Sequence, residues 1–94
     1  MSTPSIDIDS CPSLRNGVRL HYDSSRQRWV LLAPERILEL DSIGASIVQK
    51  LDGQRSVHAI TTAFAKEYDA PLTAITSDVL KFVHELSEKH LLRT

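Results

Sequence analysis

Hydrophobic and polar residues follow one period in the first half of the chain and a different period in the second half. The segment 17–22 alternates apolar and polar side chains, which is the pattern of a strand with one buried face. The segment Trp29–Ala33 is apolar at every position, which predicts either a strand covered on both faces or the middle strand of a sheet. Arg36–Leu40 alternates again, and the Pro34-Glu35 pair before it is typical of a tight turn. These segments predict a three-stranded antiparallel meander with Arg36–Leu40 as an edge strand.

From residue 41 onward, apolar residues recur every three or four positions, which predicts three amphipathic helices. Asp41 or Ser42 is expected to cap the first helix and Ser56 the second, because short polar side chains accept hydrogen bonds from the free N–H groups of a first turn. Gly53 is expected to supply the left-handed residue that ends the first helix. The three predicted apolar stripes are Ile43, Ile47, Val48, Leu51; Val57, Ile60, Phe64, Tyr68; and Ile75, Val79, Phe82, Val83, Leu86. Leu80 lies beside the third stripe, either as a single exposed leucine or as part of a wider face with a second contact.

Three strands followed by three helices indicate an α+β fold, and short helices with a small sheet suit a winged-helix-like arrangement. Residues 14–94 are expected to form one domain, since a chain of 94 residues supports a single modest core. Residues 1–13 are rich in Ser, Thr, Pro and Asp, and we predict a flexible tail there. The alternative is an arm in which Ile6 and Ile8 add a strand to a partner or to a second copy.

Composition narrows the function mainly by exclusion. The formal net charge is −1, and no apolar run approaches the roughly 20 residues that cross a bilayer. Cys11 is the only cysteine, which excludes an internal disulfide and favours the cytoplasm. The glycines lie far apart, and the four histidines fall on four different elements, so neither a phosphate-binding loop nor a metal site is expected. We therefore expect no enzymatic activity and no cofactor.

A nucleic-acid-binding winged helix is the main alternative function. The outward face of its recognition helix, the third helix, would carry Ser77, Asp78, Lys81, His84, Glu85 and Glu88. A recognition helix should be basic or rich in amides, so we expect this acidic face to repel DNA. The edge strand Arg36–Leu40 instead offers unpaired backbone groups to a peptide, unless Arg36 and Glu39 guard that edge.

Several short segments, taken together, resemble a known family. They are Gly17-Val18-Arg19-Leu20-His21-Tyr22-Asp23, Trp29-Val30-Leu31-Leu32-Ala33-Pro34-Glu35-Arg36, Leu40-Asp41, Asp52-Gly53, Arg55-Ser56-Val57, Tyr68-Asp69-Ala70-Pro71 and Asp78-Val79-x-x-Phe82. This pattern is similar to the PqqD family of pyrroloquinoline quinone (PQQ) biosynthesis and extends from about residue 12 to residue 92. The chain departs from the family at His90, where a glycine often ends the last helix; histidine tolerates the left-handed conformation better than most residues.

The resemblance implies a peptide chaperone that binds the precursor peptide PqqA and presents it to the radical SAM enzyme PqqE. It also implies the winged-helix-like recognition element of ribosomally made, modified peptides (a RiPP recognition element). In that mode the leader peptide adds antiparallel to the third strand and packs against the third helix. The peptide-binding residues implied by position are Arg36, Ile37, Leu38, Glu39, Leu40, Asp78, Val79, Lys81, Phe82 and Glu85. Contacts with the partner enzyme are assigned to Arg19, Asp23 and Glu35.

Three functional hypotheses stand at this point: a PqqA-binding chaperone, a nucleic-acid-binding module, and a structural subunit that stabilises PqqE without touching the peptide. We expect neither a nucleic-acid nor a membrane partner. The working form is expected to be a monomer, although the exposed edge and the free tail allow a dimer through strand or tail exchange.

Overall fold

Strands and helices follow one another in the order that the hydrophobic pattern predicts. The computed structural model describes residues 6–94. Its elements are β1 (Ser13–Leu14), β2 (Arg19–Asp23), β3 (Arg28–Ala33), β4 (Arg36–Leu40), α1 (Ser42–Gln49), α2 (Val57–Glu67), α3 (Leu72–Glu88) and β5 (Leu92–Arg93). β2, β3 and β4 form an antiparallel meander, which confirms the α+β prediction. The short strands β1 and β5, which the sequence did not predict, pair antiparallel and join the two ends of the domain.

β3 is the middle strand of the sheet, and its two central residues, Val30 and Leu31, are buried. Leu31 is completely buried on the face toward the helices, and Val30 on the opposite face is 4% exposed. Leu20 and Leu38 lie on either side of Leu31 in the sheet and pack against the same core. The alternation of apolar and polar side chains in β2 and β4 therefore determines which face of the sheet packs against the helices.

The helix starts agree with the predicted caps. Asp41 Oδ1 accepts a hydrogen bond from the Gly44 N–H at 2.6 Å, and Ser56 Oγ accepts one from the Ala59 N–H at 3.1 Å. Most of the predicted stripes are buried, but Ile43 is 59% exposed and Tyr68 is 51% exposed. The prediction that these two side chains belong to the core is wrong. Periodicity identifies the side of a helix on which a residue lies, but not whether another element covers it.

The two predicted left-handed residues have positive φ. Gly53 has a φ of 79°, although it lies in the loop after α1, which already ends at Gln49. His90 has a φ of 61°, which confirms that this histidine takes the glycine-like position after the last helix. The His90 N–H donates to the Ser87 carbonyl at 3.0 Å and the next N–H donates to the Leu86 carbonyl at 3.1 Å. This pair of bonds is a Schellman motif, and it turns the chain back toward β5.

Residues 6–12 lie along one side of the helical layer. The side chain of Ile6 is 4% exposed and belongs to the hydrophobic core. Its carbonyl accepts a hydrogen bond from Nε2 of His84 on α3 at 2.6 Å. The first two N–H groups of α2 donate to the carbonyls of Ser10 and Ile8, both at 2.9 Å. The segment thus supplies acceptors for backbone donors that have no partner within their own helix.

This packing differs from the flexible tail predicted for residues 1–13. The described part, 6–13, has an apolar anchor at Ile6 and several backbone bonds to the domain. The composition of the segment could not indicate this, because its acceptors are backbone carbonyls, which every sequence carries. The remainder of the predicted tail, 1–5, lies outside the described residues. The division of the chain between residues 13 and 14 stays a prediction.

Ile6 and Ile8 provide a matched pair for testing this docking. Ile6 is 4% exposed whereas Ile8 is 42% exposed. We expect Ile6→Ala to lower the free energy of unfolding by about 2–3 kcal/mol, because it leaves a cavity in the core. Ile8→Ala should change it by less than about 0.5 kcal/mol. Urea denaturation followed by circular dichroism measures both; equal, small effects would mean that the segment is free in solution.

Candidate functional site

β4 is one of the two edge strands of the meander, β2 being the other. The register of its pairing with β3 determines which backbone groups of β4 are open. Pro34-Glu35 is a two-residue connection, so Ala33 and Arg36 are the first partners of the ladder. Such flanking partners exchange both backbone hydrogen bonds, and bonded and non-bonded pairs then alternate along the strands. The even-numbered residues of β4 therefore bond to β3. The odd-numbered residues, Ile37 and Glu39, direct their N–H and C=O groups toward the open edge.

The carboxylate of Glu39 does not cover this edge. Its Oε2 lies 3.0 Å from Nη1 of Arg28 on the neighbouring strand, above the outer face of the sheet. The Arg28 Nε also lies 3.9 Å from the Asp23 Oδ2, so the three charges form a chain across the meander. Because Glu39 is 64% exposed, the pair is worth at most about 1 kcal/mol. The backbone of Glu39 is consequently left free to accept a partner strand.

Helix α3 runs alongside β4 in the opposite direction. After the end of β4, α1 brings Gly44 against the ring of Phe82, close enough that an added Cβ would lie 3.4 Å from the ring. Before the start of β4, the turn at Pro34 shares a cleft with residues 89–91, which follow α3. The space between the edge of β4 and α3 is called here the β4–α3 groove. It is bordered by residues 36–40 on one side and by the exposed face of α3 on the other.

The ten predicted peptide-binding residues lie on β4 and α3 and differ in their exposure. The exposed ones are Arg36, Ile37, Glu39, Asp78, Lys81 and Glu85. Leu38 and Phe82 are half-buried, and both pack against the core from the side of the groove. Leu40 and Val79 are 8% and 3% exposed, so their side chains belong mainly to the core.

An apolar pocket of about 250 Å³ lies at the end of the groove near Asp78. Its lining consists of Ile43, Ile47, Phe64, Tyr68, Ile75, Asp78 and Val79. A dry cavity of about 150 Å³ accommodates benzene, so this pocket has room for one large apolar side chain. The rings of Phe64 and Tyr68 stack with their centroids 5.7 Å apart, which orients the tyrosine at the rim.

Sequence reasoning missed the pocket because its apolar residues were assigned to separate helix stripes, and only Val79 was also among the predicted peptide-binding residues. Ile43 and Tyr68, the two wrongly assigned residues, stand at its rim with more than half of their surface exposed. No period distinguishes a rim position from a core position on the same helix face. Clusters of exposed apolar side chains often mark a site where another molecule binds.

The three residues assigned to the partner enzyme do not form one cluster. Arg19 is at the start of β2 and Asp23 at its end, about 13 Å away at the rise of a strand. Glu35 lies in the β3–β4 turn, at the same end of the sheet as Arg19. Asp23 has a local structural role: its Oδ1 accepts hydrogen bonds from the Ser25 hydroxyl at 2.7 Å and from the Ser25 N–H at 3.1 Å. The Ser25 hydroxyl is the main cause that holds the pKa of Asp23 below its ordinary value of 3.8.

Within residues 6–94, no three His, Cys, Asp or Glu side chains come together in a way that would hold a metal ion. Over the same range, no helix combines the length and the apolar character that a bilayer crossing requires.

An open edge strand beside a helix, on a three-stranded meander followed by three helices, is the architecture of a winged-helix-like recognition element. The family model "Coenzyme PQQ synthesis protein D (PqqD)" matches residues 28–92. The chain is also 48% identical over 93 residues to the "PqqA binding protein" of Xanthomonas campestris pv. campestris strain B100, with 99% of each chain covered. The chain belongs to the PqqD family.

Two solved structures show the same fold. The solution structure of the PqqD truncation of Methylobacterium extorquens PqqCD, described as a functional and stand-alone RiPP recognition element, superposes with a TM-score of 0.83 at 34% identity, covering 95% of both chains. The crystal structure of PqqD from Xanthomonas campestris superposes with a TM-score of 0.62 at 47% identity, covering 95% of this chain and 99% of that one. The fold prediction of a RiPP recognition element is thereby confirmed.

The hydrogen bonds of Asp23 lead to a testable pKa difference. Ser25→Ala removes the hydroxyl that donates at 2.7 Å, so we expect the pKa of Asp23 to rise toward 3.8. Because the folded-state pKa is lowered, the carboxylate stabilises the fold above pH 4 or so, and this contribution is lost as the pH falls through the lowered pKa. NMR titration of the carboxyl carbons measures the shift.

Asp52 is the internal control for that titration. Backbone N–H groups of Arg55 and Gln54 lower its pKa, so the Ser25→Ala substitution should leave it unchanged. An unchanged pKa of Asp23 in the variant would contradict the assignment of its main partner.

Proposed function

We propose that this protein is a non-enzymatic recognition element that binds the precursor peptide PqqA in the cytoplasm by strand addition to β4. The observation that carries the proposal is the open edge at Ile37 and Glu39, which lies beside the β4–α3 groove. Strand addition obtains affinity from backbone hydrogen bonds and specificity from side-chain pockets. The name of the Xanthomonas relative, a PqqA binding protein, supports the same peptide as the ligand.

The bound peptide runs antiparallel to β4 in this proposal. Its backbone pairs with Ile37 and Glu39, and its upstream end passes the apolar pocket at Ile43. Four backbone bonds at about 1 kcal/mol each only equal the lower estimate of about 4 kcal/mol for the cost of association. One large apolar side chain buried in the pocket adds about 1.5–3 kcal/mol. The pocket therefore decides whether a peptide with a suitable backbone binds measurably.

Delivery to the radical SAM enzyme PqqE is the second part of the proposal. A peptide held along one edge has the rest of its length free to enter an active site. Arg19 and Glu35, at one end of the sheet, are the proposed contacts with the enzyme, together with Asp23 at the other end. All three lie outside the peptide-facing groups of Ile37 and Glu39, so one monomer can hold both partners.

Ile37→Pro should weaken PqqA binding about ten-fold or more while leaving the fold intact. The substitution removes an N–H that points to the open edge and not to β3, and edge strands tolerate proline. Ile37→Ala is the matched control, because it shortens the same side chain and keeps the N–H. Isothermal titration calorimetry with synthetic PqqA gives both dissociation constants. Leu38→Pro is less informative, since the N–H of Leu38 bonds to β3 and its loss destabilises the sheet.

Equal affinities of the two Ile37 variants for PqqA would show that the peptide does not pair with β4. NMR titration adds an independent measurement, because the amides of residues 36–40 and of α3 should shift together. Shifts confined to other elements would contradict the groove as the binding site.

Arg19→Glu should weaken binding of PqqE without changing the affinity for PqqA. Lys66→Glu on α2 is the matched control, since it makes the same charge change far from β2. Analytical ultracentrifugation of the chain with PqqA and PqqE should show a ternary complex with the wild type and less of it with Arg19→Glu. Binding of PqqE without measurable binding of PqqA would instead support a purely structural subunit.

A further inference from the structure

A second cleft, of about 390 Å³, lies at the start of β4. It is enclosed by the β3–β4 turn, the loop 15–18 and the residues that follow α3. Three cationic side chains line it, from Arg15, Arg36 and Lys89, together with the single carboxylate of Glu35. The excess of positive charge is local, since the chain as a whole has a formal net charge of −1.

The backbone around this cleft is fixed by turns that the sequence specifies. The Val18 N–H donates to the Arg15 carbonyl at 3.0 Å, and Gly17 between them has a φ of 87°, as in a type II turn. Gly17 faces Pro34, with an added Cβ 3.5 Å from the proline ring. The Arg15 N–H donates to the Leu91 carbonyl at 3.0 Å. These contacts hold the loop 15–18, the β3–β4 turn and the residues after α3 next to one another around the cleft.

Much of the positive charge in the cleft has no partner in the described part of the chain. No carboxylate within residues 6–94 lies within 4.0 Å of the cationic groups of Arg15, Arg36 or Lys89. Nη1 of Arg15 donates to the His90 carbonyl at 3.4 Å, so the end of α3 uses part of that guanidinium. The C-terminus of a helix carries about half a negative charge, which is smaller than the combined positive charge of Arg15, Arg36 and Lys89. Arg36 and Lys89 are left to attract an anion.

We propose that this cleft binds a side-chain carboxylate of the peptide, at a position just C-terminal to the segment paired with β4. The inference rests on the proposed function, because it is the antiparallel direction that makes the peptide leave the groove at Arg36. Arg36 is both the first residue of β4 and a wall of the cleft. A chain that leaves the edge there passes Arg36, one of the residues that line the cleft.

The two ends of the groove then differ in chemistry, which determines the direction and register of the peptide. The apolar pocket at Ile43 accepts an upstream apolar side chain, and the basic cleft at Lys89 accepts a downstream acidic one. A peptide in the reverse direction would place its carboxylate near Asp78. A polyanion such as DNA is disfavoured, because Asp78 and Glu85 line the groove between the two ends.

The test is a double-mutant cycle between the protein and synthetic PqqA. Each Asp or Glu of the peptide is replaced in turn by Asn or Gln, with the C-terminus amidated so that only side-chain carboxylates remain. One replacement should weaken binding to the wild type about five-fold, as expected for an ion pair of about 1 kcal/mol. The same replacement should have little effect on Lys89→Gln, and this coupling should shrink at high salt. The sensitive residue should lie C-terminal to the segment whose amides are protected by strand pairing.

Lys66→Gln is the matched control, since it removes one positive charge from an exposed residue outside the cleft. If no acidic position couples to Lys89 while Ile37→Pro still weakens binding, the carboxylate site is wrong and strand addition stands. If the wild type does not bind PqqA, both proposals fail. Coupling of equal size in Lys66→Gln would mean that net charge, and not the cleft, attracts the peptide.

Discussion

The two-residue connection between β3 and β4 controls which backbone groups of β4 face a partner. Because Ala33 and Arg36 are the first bonded pair, Leu38 is bonded to β3 and its side chain faces the core beside Leu31. A shift of one residue would place the side chains of Leu38 and Leu40 on the outer face and reverse the groups at the edge. Burial of these leucines and availability of the edge are therefore two consequences of one register.

The rest of the fold holds α3 in place beside that edge. The Schellman motif at His90 turns the chain into β5, and β5 pairs with β1 at the other end of the sequence. The segment 6–12 adds bonds to α2 and to His84 on α3. These contacts fix the position of α3 within the domain. Gly44 sets the spacing on the side of α1, because its missing Cβ lets α1 approach the ring of Phe82.

A peptide-binding surface can combine backbone hydrogen bonds, which form with any sequence, with side-chain pockets at its two ends, which select a sequence. The open edge at Ile37 and Glu39 would accept almost any extended chain. The apolar pocket and the basic cleft lie beyond the two ends of β4 and differ in polarity, so in the proposed binding mode they would together select the direction and the sequence of the peptide. Such a division suits a recognition element whose ligand must be held along one short stretch while the remainder of the peptide is left free for chemistry.

The sequence by itself determined the order and type of the main elements, two helix caps, the left-handed residue at His90 and the family. These features depend on local chemistry: strand and helix periods, a capping oxygen, and a histidine at the position after the last helix. The resemblance also implies that Arg36–Leu40 is the strand that pairs with a peptide, and the structure adds which of its backbone groups are open.

Only the tertiary structure decided which apolar residues form a pocket and which cations share a cleft. Ile43 and Tyr68 follow the core period, yet no element within residues 6–94 covers them. The period of a helix does not reveal whether another element packs on a given position. Arg15, Arg36 and Lys89 are far apart in sequence and meet because three separate turns converge. The docking of residues 6–12 could not be predicted from the sequence for a related reason. Its hydrogen bonds are accepted by backbone carbonyls, which every residue has whatever its side chain.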